Sequence, residues 1–588
     1  MILEKWFVTA KRADFKEISS RFGINQVTAR IIRNRDIVGD EAIKEYLNGG
    51  LADLHDPKLL RGAREAVALL NNKINEGKKI RIIGDYDIDG VNATYILYKG
   101  LLRCNANVDY EIPDRMKDGY GINEQLIQYA YEEGVDTIVT CDNGIAAIDQ
   151  IAYAKNLGMT VIITDHHELL FKEEEGEKIC IRPNADVIIN PKQPECNYPF
   201  PNLCGAAVAF KLISCMFEDH KIPKEEAEAF IEFAAIATVG DVMDLIGENR
   251  IIVKEGLRRL TNTQNNGLKS LIKVNGLEES DICAYHIGFV LGPCINASGR
   301  LDTAKRALAL LLAESEGDAL RMAEELKSLN DERKAMTLKG FEQAVELVET
   351  TELKEDKVLV VYLPDCHESL AGIIAGRIRE RFHKPVFVLT DAEDGVKGSG
   401  RSIEAYNMFE EMVKCQELFT KFGGHPMAAG LSIKKEDVEK LRIRLNELTT
   451  LTEDDFIPRV SIDVAMPIDY ISEELIEELE VLEPFGKANP KPVFAEKNLN
   501  VLSARILGQN KNVIKMQVLN SQGMVMDAMY FGDVEKFNTY VTEKFGTAEV
   551  EKMYQNRENT ISISATYYPQ VNVFRNVRNM QIVIQNYN

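Results

Sequence analysis

Between residues 79 and 167 three short apolar runs, rich in β-branched side chains, each break off into acids or histidines. Lys79-Ile80-Arg81-Ile82-Ile83 leads into Asp85, Asp136-Thr137-Ile138-Val139-Thr140 into Asp142, and Thr160-Val161-Ile162-Ile163-Thr164 into Asp165-His166-His167. Residues 93–103, 124–133 and 146–157 between them have helical periodicity. Strand–helix alternation of this kind builds a parallel sheet covered on both faces. Ligands of such sheets bind just beyond the carboxyl ends of the strands, where these acids and histidines fall.

The chain has 588 residues, too many for one core and enough for roughly three to four domains. Residues 1–60 read as a short helical lead-in and 61–305 as the α/β lobe with a helical extension. In 306–350, Ala319, Met322, Leu326, Leu329 and Met336 recur at helical steps with few breakers, which predicts a connector helix. A second α/β segment covers 351–455, opening at Lys357-Val358-Leu359-Val360-Val361. Residues 456–588 hold several short β-like runs, which suit a small barrel such as a five-stranded OB-fold.

Asp85, Asp87 and Asp89 alternate, so an extended backbone would point all three one way. Carboxylates crowded together repel and raise one another's pKa, a cost that a cation removes. Mixed carboxylate and imidazole ligands suit manganese or magnesium, and two such ions can clamp a phosphate. A fourth acid, Asp241, follows an apolar run in Gly240-Asp241-Val242. Any one acid after a strand is as readily a helix cap or turn former. Four such positions at the ends of successive elements, one with an adjacent pair from only eight histidines, point to a metal site.

A net charge of −22 argues against non-specific binding of nucleic acid through the total charge, though affinity depends on the local patch. A carboxylate site filled with divalent metal also becomes attractive to phosphate. The ten cysteines occur singly with no CxxC pair, which implies a reducing cytoplasm rather than a disulfide framework. No stretch reaches the ~20 apolar residues of a membrane span, and Met1-Ile2-Leu3-Glu4-Lys5-Trp6 does not resemble a signal peptide. A cytoplasmic protein with no membrane partner is expected.

Asp85-Tyr86-Asp87-Ile88-Asp89-Gly90, Asp142-Asn143-Gly144, Asp165-His166-His167 and Gly240-Asp241-Val242 resemble, in order, the four motifs of the DHH phosphoesterase family. The resemblance implies that Asp87, Asp89, Asp142, His166 and Asp241 hold two manganese (or magnesium) ions. It implies that His167 meets the scissile phosphate, and that Asp85 and Asp165 support the ligands. Gly398-Ser399-Gly400-Arg401-Ser402 and Gly423-Gly424-His425-Pro426 resemble the phosphate-binding segments of the DHHA1 domain. Residues 365–385, with His367, Gly372 and Arg377, resemble its opening strand and helix. Both glycine segments read as loops or turns, with Gly423, Gly424 and His425 reaching the substrate phosphate.

Two further segments are similar to the RecJ-type branch: Ile112-Pro113-Asp114-Arg115 running on to Gly119-Tyr120-Gly121, and Gly292-Pro293-Cys294-Ile295-Asn296-Ala297-Ser298-Gly299-Arg300-Leu301. By that resemblance Arg115, Arg300, Ser399 and Arg401 hold a 5′-terminal phosphate. Cys294 departs from the pattern, since the branch commonly carries Arg there. Leu482-Glu483-Pro484-Phe485-Gly486-Lys487-Ala488-Asn489-Pro490 resembles the linker into its OB-fold, for which Tyr530, Phe531, Tyr567, Tyr568 and Phe574 are candidate stacking residues. The whole implies a DHH lobe, connector helix, DHHA1 lobe and OB-fold. The implied activity is a 5′→3′ exonuclease specific for single-stranded DNA with a 5′ phosphate, acting in repair and recombination beside a single-strand-binding protein and a RecQ-type helicase. The alternatives are a DHH phosphodiesterase of very short oligonucleotides or cyclic dinucleotides, and a non-catalytic replication scaffold.

Overall fold

The computed structural model describes residues 4–588 except 116, 120, 175, 176, 394, 509, 575 and 576, and the side chains of 174, 177, 178 and 574 also lie outside the description. Tyr120 and the Phe574 side chain, both singled out in the sequence, are therefore outside the described residues. The chain forms two units, Gly50–Phe456 and a second built from both ends, Met1–Gly49 with Ile457–Asn588.

The larger unit opens with the expected parallel sheet. Its order is Asn107–Glu111, Lys79–Ile83, Thr137–Cys141, Thr160–Thr164 and Val187–Ile189, every neighbouring pair parallel. The period of two sorts the strand side chains between two cores. Ile80, Ile82, Val139 and Ile162 pack with Ile96, Leu97, Val208 and Phe233 from helices Ile88–Arg103, Gly205–Asp219 and Ile231–Gly240. Ile83, Ile138, Val161 and Ile163 pack with Leu126, Ile127 and Ile151 from helices Glu124–Glu132 and Ile148–Asn156. The chain leaves Lys79–Ile83 towards one side of the sheet and returns on the other at Thr137–Cys141. That reversal is the switch point at which such sheets bind ligands, and Asp85 and Asp142 follow these two strands.

The connector is a single helix of 35 residues, Glu316–Thr350, capped by the Ser315 side chain; residues Lys305–Leu311 form a separate helix before it. A second sheet follows, ordered Phe419–His425, Ala428–Ile433, Gly395–Arg401, Val386–Ala392, Leu359–Tyr362. Both glycine segments, expected as loops or turns, lie on its strands. A Cβ on Gly398 would fall 2.1 Å from Leu389 Cδ2, and one on Gly400 would fall 2.3 Å from Met408 Sδ. These glycines serve close packing of the sheet faces rather than a turn.

In the second unit, Phe494–Leu507, Val513–Leu519, Val525–Tyr530, Val577–Tyr587 and Ser562–Phe574 follow one another and the last pairs back onto the first, closing a five-stranded barrel. The amino-terminal segment is part of this unit. Lys5–Val8 pairs in parallel with Arg459–Ile462, and Arg35 makes a buried ion pair with Asp463 (2.7 Å). Ile31, Ile32, Ile43 and Leu47 share a core with Ile471, Leu475 and Leu482. Of the aromatics expected to stack on bases, Tyr530, Tyr567 and Tyr568 are buried in the barrel core while Phe531 is 59% exposed. Tyr530 and Tyr567 fill the interior, as alternate residues of a small closed barrel must, whereas Tyr568, next to Tyr567 on the same strand, is buried against Phe485 and Lys491.

Candidate metal centre

The four motif acids and histidines meet beyond the carboxyl ends of the parallel strands, but not as three side chains of one extended segment. Asp85 lies two residues beyond the strand Lys79–Ile83; Asp87 caps the helix Ile88–Arg103, its carboxylate accepting from Asp89 N (2.9 Å) and Gly90 N (3.0 Å). Asp89 lies inside that helix and is turned towards a different partner. Its two oxygens accept from Gly205 N (2.6 Å) and Ala206 N (2.7 Å), the first amides of helix Gly205–Asp219. Helix-opening amides carry unsatisfied N–H groups and a positive dipole end, which suits a carboxylate. Gly205 and Ala206 escaped the sequence reading; a glycine followed by small residues at a helix start was the available signal.

His166 Nε2 lies 3.0 Å from Asp142 Oδ1, 3.5 Å from Asp89 Oδ2 and 3.9 Å from Asp241 Oδ2. Donor atoms of Asp142, His166 and His167, of Asp89, His166 and Asp241, and of Asp85, Asp87 and Asp142 lie within 4.8 Å of one another in each trio. Asp142 holds this position with a left-handed backbone (φ 61°), an uncommon conformation for a residue other than glycine. Asp165 does not enter these trios. One oxygen accepts from His166 N (2.7 Å) and His167 N (3.1 Å) and pairs with His167 Nδ1 (2.7 Å), and the other accepts from Ile145 N (2.9 Å). Three further side chains hold the backbone of the motifs: Asn296 accepts from Ile88 N, Asn143 donates to the Ile83 carbonyl and Asn190 to the His167 carbonyl.

Without a cation these acids cannot all ionise. Burial, then the neighbouring Asp87, pushes Asp85 up to about 8. Burial and the surrounding carboxylates raise Asp89, and raise Asp142 well above the ordinary range. Burial works against the His167 imidazolium, but its hydrogen bond to the Asp165 carboxylate, together with the charges of Asp165, Asp89 and Asp241, outweighs it and lifts the ring to about 9. Burial also pushes Asp165 upwards; the His167 contact and the backbone donors win and leave it below the usual carboxylate range. Asp85 Oδ1 and His166 Nδ1 are buried without a hydrogen-bond partner among the described residues, a costly arrangement for a protein that held no ion there.

The residues assigned to a terminal phosphate lie in the same unit. Arg300, half-buried, donates to the Ser369 carbonyl (2.7 Å). Burial first, then Arg115 and Arg333, lower its pKa to about 10. The Arg115 guanidinium stands 5.0 Å from the centre of the Tyr86 ring. Arg401 donates to its neighbour's carbonyl, and a Cβ on Gly372 would fall 2.9 Å from Arg401 Nη2, so that glycine makes room for the guanidinium. Arg115 and Ser399 line a common cavity of about 320 Å³. Arg333 and Arg377 add further cations to which the sequence alone gives no role; burial and then Arg377 lower the Arg333 pKa. Gly423, Gly424 and His425 stand on the exposed edge strand Phe419–His425. No hydrogen bond or ion pair among the described residues brings them to the acidic cluster. Cys294 is buried, its sulfur accepting from Asn330 Nδ2 (3.4 Å).

Comparison with known proteins accords with this geometry. Residues 79–238 match the DHH family, N-terminal domain, 355–450 match the DHHA1 domain and 462–586 match the RecJ OB domain. The fold and the strand-end cluster thus define a DHH–DHHA1 chain with an OB barrel. The single-stranded-DNA-specific exonuclease RecJ of Bacillus subtilis (strain 168) is 39% identical over 514 residues, 87% of this chain but only 63% of that protein. The same-named protein of Salmonella typhimurium is 33% identical over 547 residues, 89% of this chain and 90% of its own. The crystal structure of RecJ in complex with Mn2+ from Thermus thermophilus matches with a TM-score of 0.80 at 25% identity, over 99% of this chain and 79% of that one. The chain belongs to the RecJ family.

Proposed function

We propose that this chain is a metal-dependent phosphodiesterase that degrades single-stranded DNA from its 5′ end. The observation that carries it is the pairing, within one unit, of a buried acid–imidazole cluster with a group of partly desolvated arginines that have few acids beside them. The donor set fits two manganese or magnesium ions: oxygen-rich, with one imidazole and two orphaned buried atoms. Asp87, Asp89, Asp142, His166 and Asp241 would hold them. Two such ions, when bound, neutralise charge at phosphorus and lower the pKa of water for in-line attack.

The protein's own side chains do the positioning. Asp165 fixes the His167 ring through Nδ1, and that ring, 44% exposed, would meet a phosphate oxygen as a donor. Asp85 supports the ligands from the strand end. The amides of Gly205 and Ala206 hold Asp89 in place, a supporting contact of the kind that tunes ligands nearly as much as the ligands themselves matter. Arg115, Arg300, Ser399 and Arg401 hold the 5′ phosphate, which sets the direction of cleavage, and Gly423, Gly424 and His425 contact the strand backbone. The OB barrel grips the trailing strand.

Repair and recombination are the setting this activity suits, with a single-strand-binding protein and a RecQ-type helicase as partners that supply single strands. Ten free cysteines fit a reducing cytoplasm, and no helix among the described residues is long and apolar enough to cross a membrane. The decisive experiment compares 5′-phosphorylated single-stranded DNA, duplex DNA and a dinucleotide, all end-labelled, with Mn2+ and with excess chelator. Metal-dependent shortening of the single strand from its 5′ end is expected. Shortening from the 3′ end, or full activity in chelator, would refute the assignment.

A further inference from the structure

The cavity beside Arg115 and Ser399 is larger and more cationic than one terminal phosphate requires. Its volume of about 320 Å³ corresponds to roughly ten waters at their liquid volume, several times the space of one phosphate. It opens among the strands Gly395–Arg401, Phe419–His425 and Ala428–Ile433 and the turn at Glu368–Ala371. Arg300 and Arg401 are not in its lining, so it continues away from them, on the side of Lys397 and Lys421. Three basic side chains line it, Arg115, Lys397 and Lys421, against one acid, Glu368, which pairs with Lys397 (3.0 Å). The lining thus carries a formal charge of +2. Ser369, Ser399 and Ser432 are also among the lining residues.

A single phosphate carries a charge of about −1.5 to −2 at neutral pH, which Arg115, Arg300 and Arg401 already meet. The extra volume and the charge beyond Arg115, Lys421 with the Glu368-paired Lys397, suit a longer anion continuous with that phosphate. We propose that the cavity accepts the β and γ phosphates of a strand whose 5′ end is a triphosphate, so that such ends are substrates in their own right. The inference rests on the exonuclease assignment above and adds a substrate class to it.

The chemistry balances without a further reagent. Water adds hydroxide to the phosphorus that joins the first two nucleotides, the bond from that phosphorus to the 3′ oxygen breaks, and the 3′ oxygen takes up the proton. The anhydride bonds are untouched. The first product is a nucleoside 5′-triphosphate, and the shortened strand is left with an ordinary 5′ monophosphate, so every later product is a monophosphate.

The test uses the full-length protein with Mn2+ and one oligodeoxynucleotide in two forms, 5′-monophosphorylated and 5′-triphosphorylated with a γ label. The label is expected to leave as nucleoside triphosphate in the first turnover, with kcat/KM at least equal to that of the monophosphorylated strand. Lys421→Met, on an exposed side chain, should lower the triphosphate-to-monophosphate ratio of kcat/KM roughly tenfold, the worth of one charge-assisted contact. Resistance of the triphosphorylated strand while the other is degraded would overturn the proposal. So would release of the label as phosphate or pyrophosphate, or an unchanged ratio in the variant. Failure to degrade the monophosphorylated strand would instead overturn the exonuclease assignment.

Discussion

Gly205→Ala tests whether the helix start at Gly205 sets the geometry of the acidic cluster. The backbone there tolerates alanine, and alanine favours helices over glycine by up to ~1 kcal/mol, so local conformation opposes nothing. The obstacle is steric. The added methyl carbon would lie 2.7 Å from Asp142 Cβ and 3.0 Å from both its Cα and Oδ1, where ordinary contact begins at 3.4 Å. Helix and loop must therefore part by about 0.7 Å, the difference between those two distances. Retreat of the helix stretches the 2.6 Å contact from Gly205 N to Asp89. Retreat of Asp142 moves it away from His166 Nε2, now 3.0 Å away. Overpacking of this kind costs ~1–3 kcal/mol of stability, whereas a misplacement near 1 Å costs on the order of 10²-fold in rate. The variant should thus remain folded, with its thermal midpoint lowered by a few degrees. Single-turnover cleavage of a 5′-phosphorylated strand at saturating Mn2+ should fall ten- to a hundred-fold, and Mn2+ affinity should weaken. Cleavage within twofold of the parent with unchanged Mn2+ affinity would show that the helix start does not govern the site.

Three other outcomes are expected. Burial raises Glu232 to about 7, with Thr263 and Arg259 opposing; the native state then holds a proton that the unfolded chain releases between about pH 4.5 and 7, so stability falls as pH rises through that window. Glu232→Gln should remove this slope and gain up to roughly 3 kcal/mol over the parent at pH 8, and parallel denaturation profiles at pH 5 and 8 would contradict it. Lys211 and Glu248 form an ion pair (2.5 Å) with both side chains at most 2% exposed; Lys211→Met strands the carboxylate and should cost ~3–5 kcal/mol, while Lys211→Met with Glu248→Gln should cost clearly less in the same urea titration. Deleting 457–588 alone should yield aggregating protein, because it uncovers the apolar sides of the helices before Gly49. Deleting 4–49 as well should leave a unit that cleaves a dinucleotide but has lost affinity for a ~20-nucleotide strand, with a flatter salt dependence; equal affinity would remove the barrel's role.

The parallel sheet and its chemistry were legible because their signals are local. Strand-length β-branched runs ending in acids specify both the sheet and the edge where ligands bind, and Asp142, His166 and Asp241 meet there as the order of the elements requires. The fate of Asp89 was not legible, since its partners lie 116 and 117 residues further on and are backbone amides, marked only by a glycine and small residues at a helix start. Glycines at 398, 400, 423 and 424 suggest loops because glycine marks turns; here two of them make room for Leu389 and Met408. Arg115, Arg300 and Arg401 were named through the motif resemblance alone, since a net charge of −22 sums over the chain what the fold sorts by place, and Arg333 beside them went unremarked. Tyr530, Tyr567 and Tyr568 were ambiguous in principle, because a closed barrel draws its core from the same residue types that stack on bases.

The joining of residues 4–49 to a partner that begins at Ile457 sets a schedule for synthesis. Gly49 and Ile457 are 408 positions apart, and at ~5–20 residues per second a ribosome needs roughly 20–80 s to cover that distance. Throughout that interval Val27, Ile31, Ile32, Ile43 and Leu47 wait without the residues that bury them. The larger unit can be completed while its predecessor in the chain is still unpaired. Anything that slows elongation lengthens the wait, and with it the time in which proteases and aggregation can claim the nascent amino terminus.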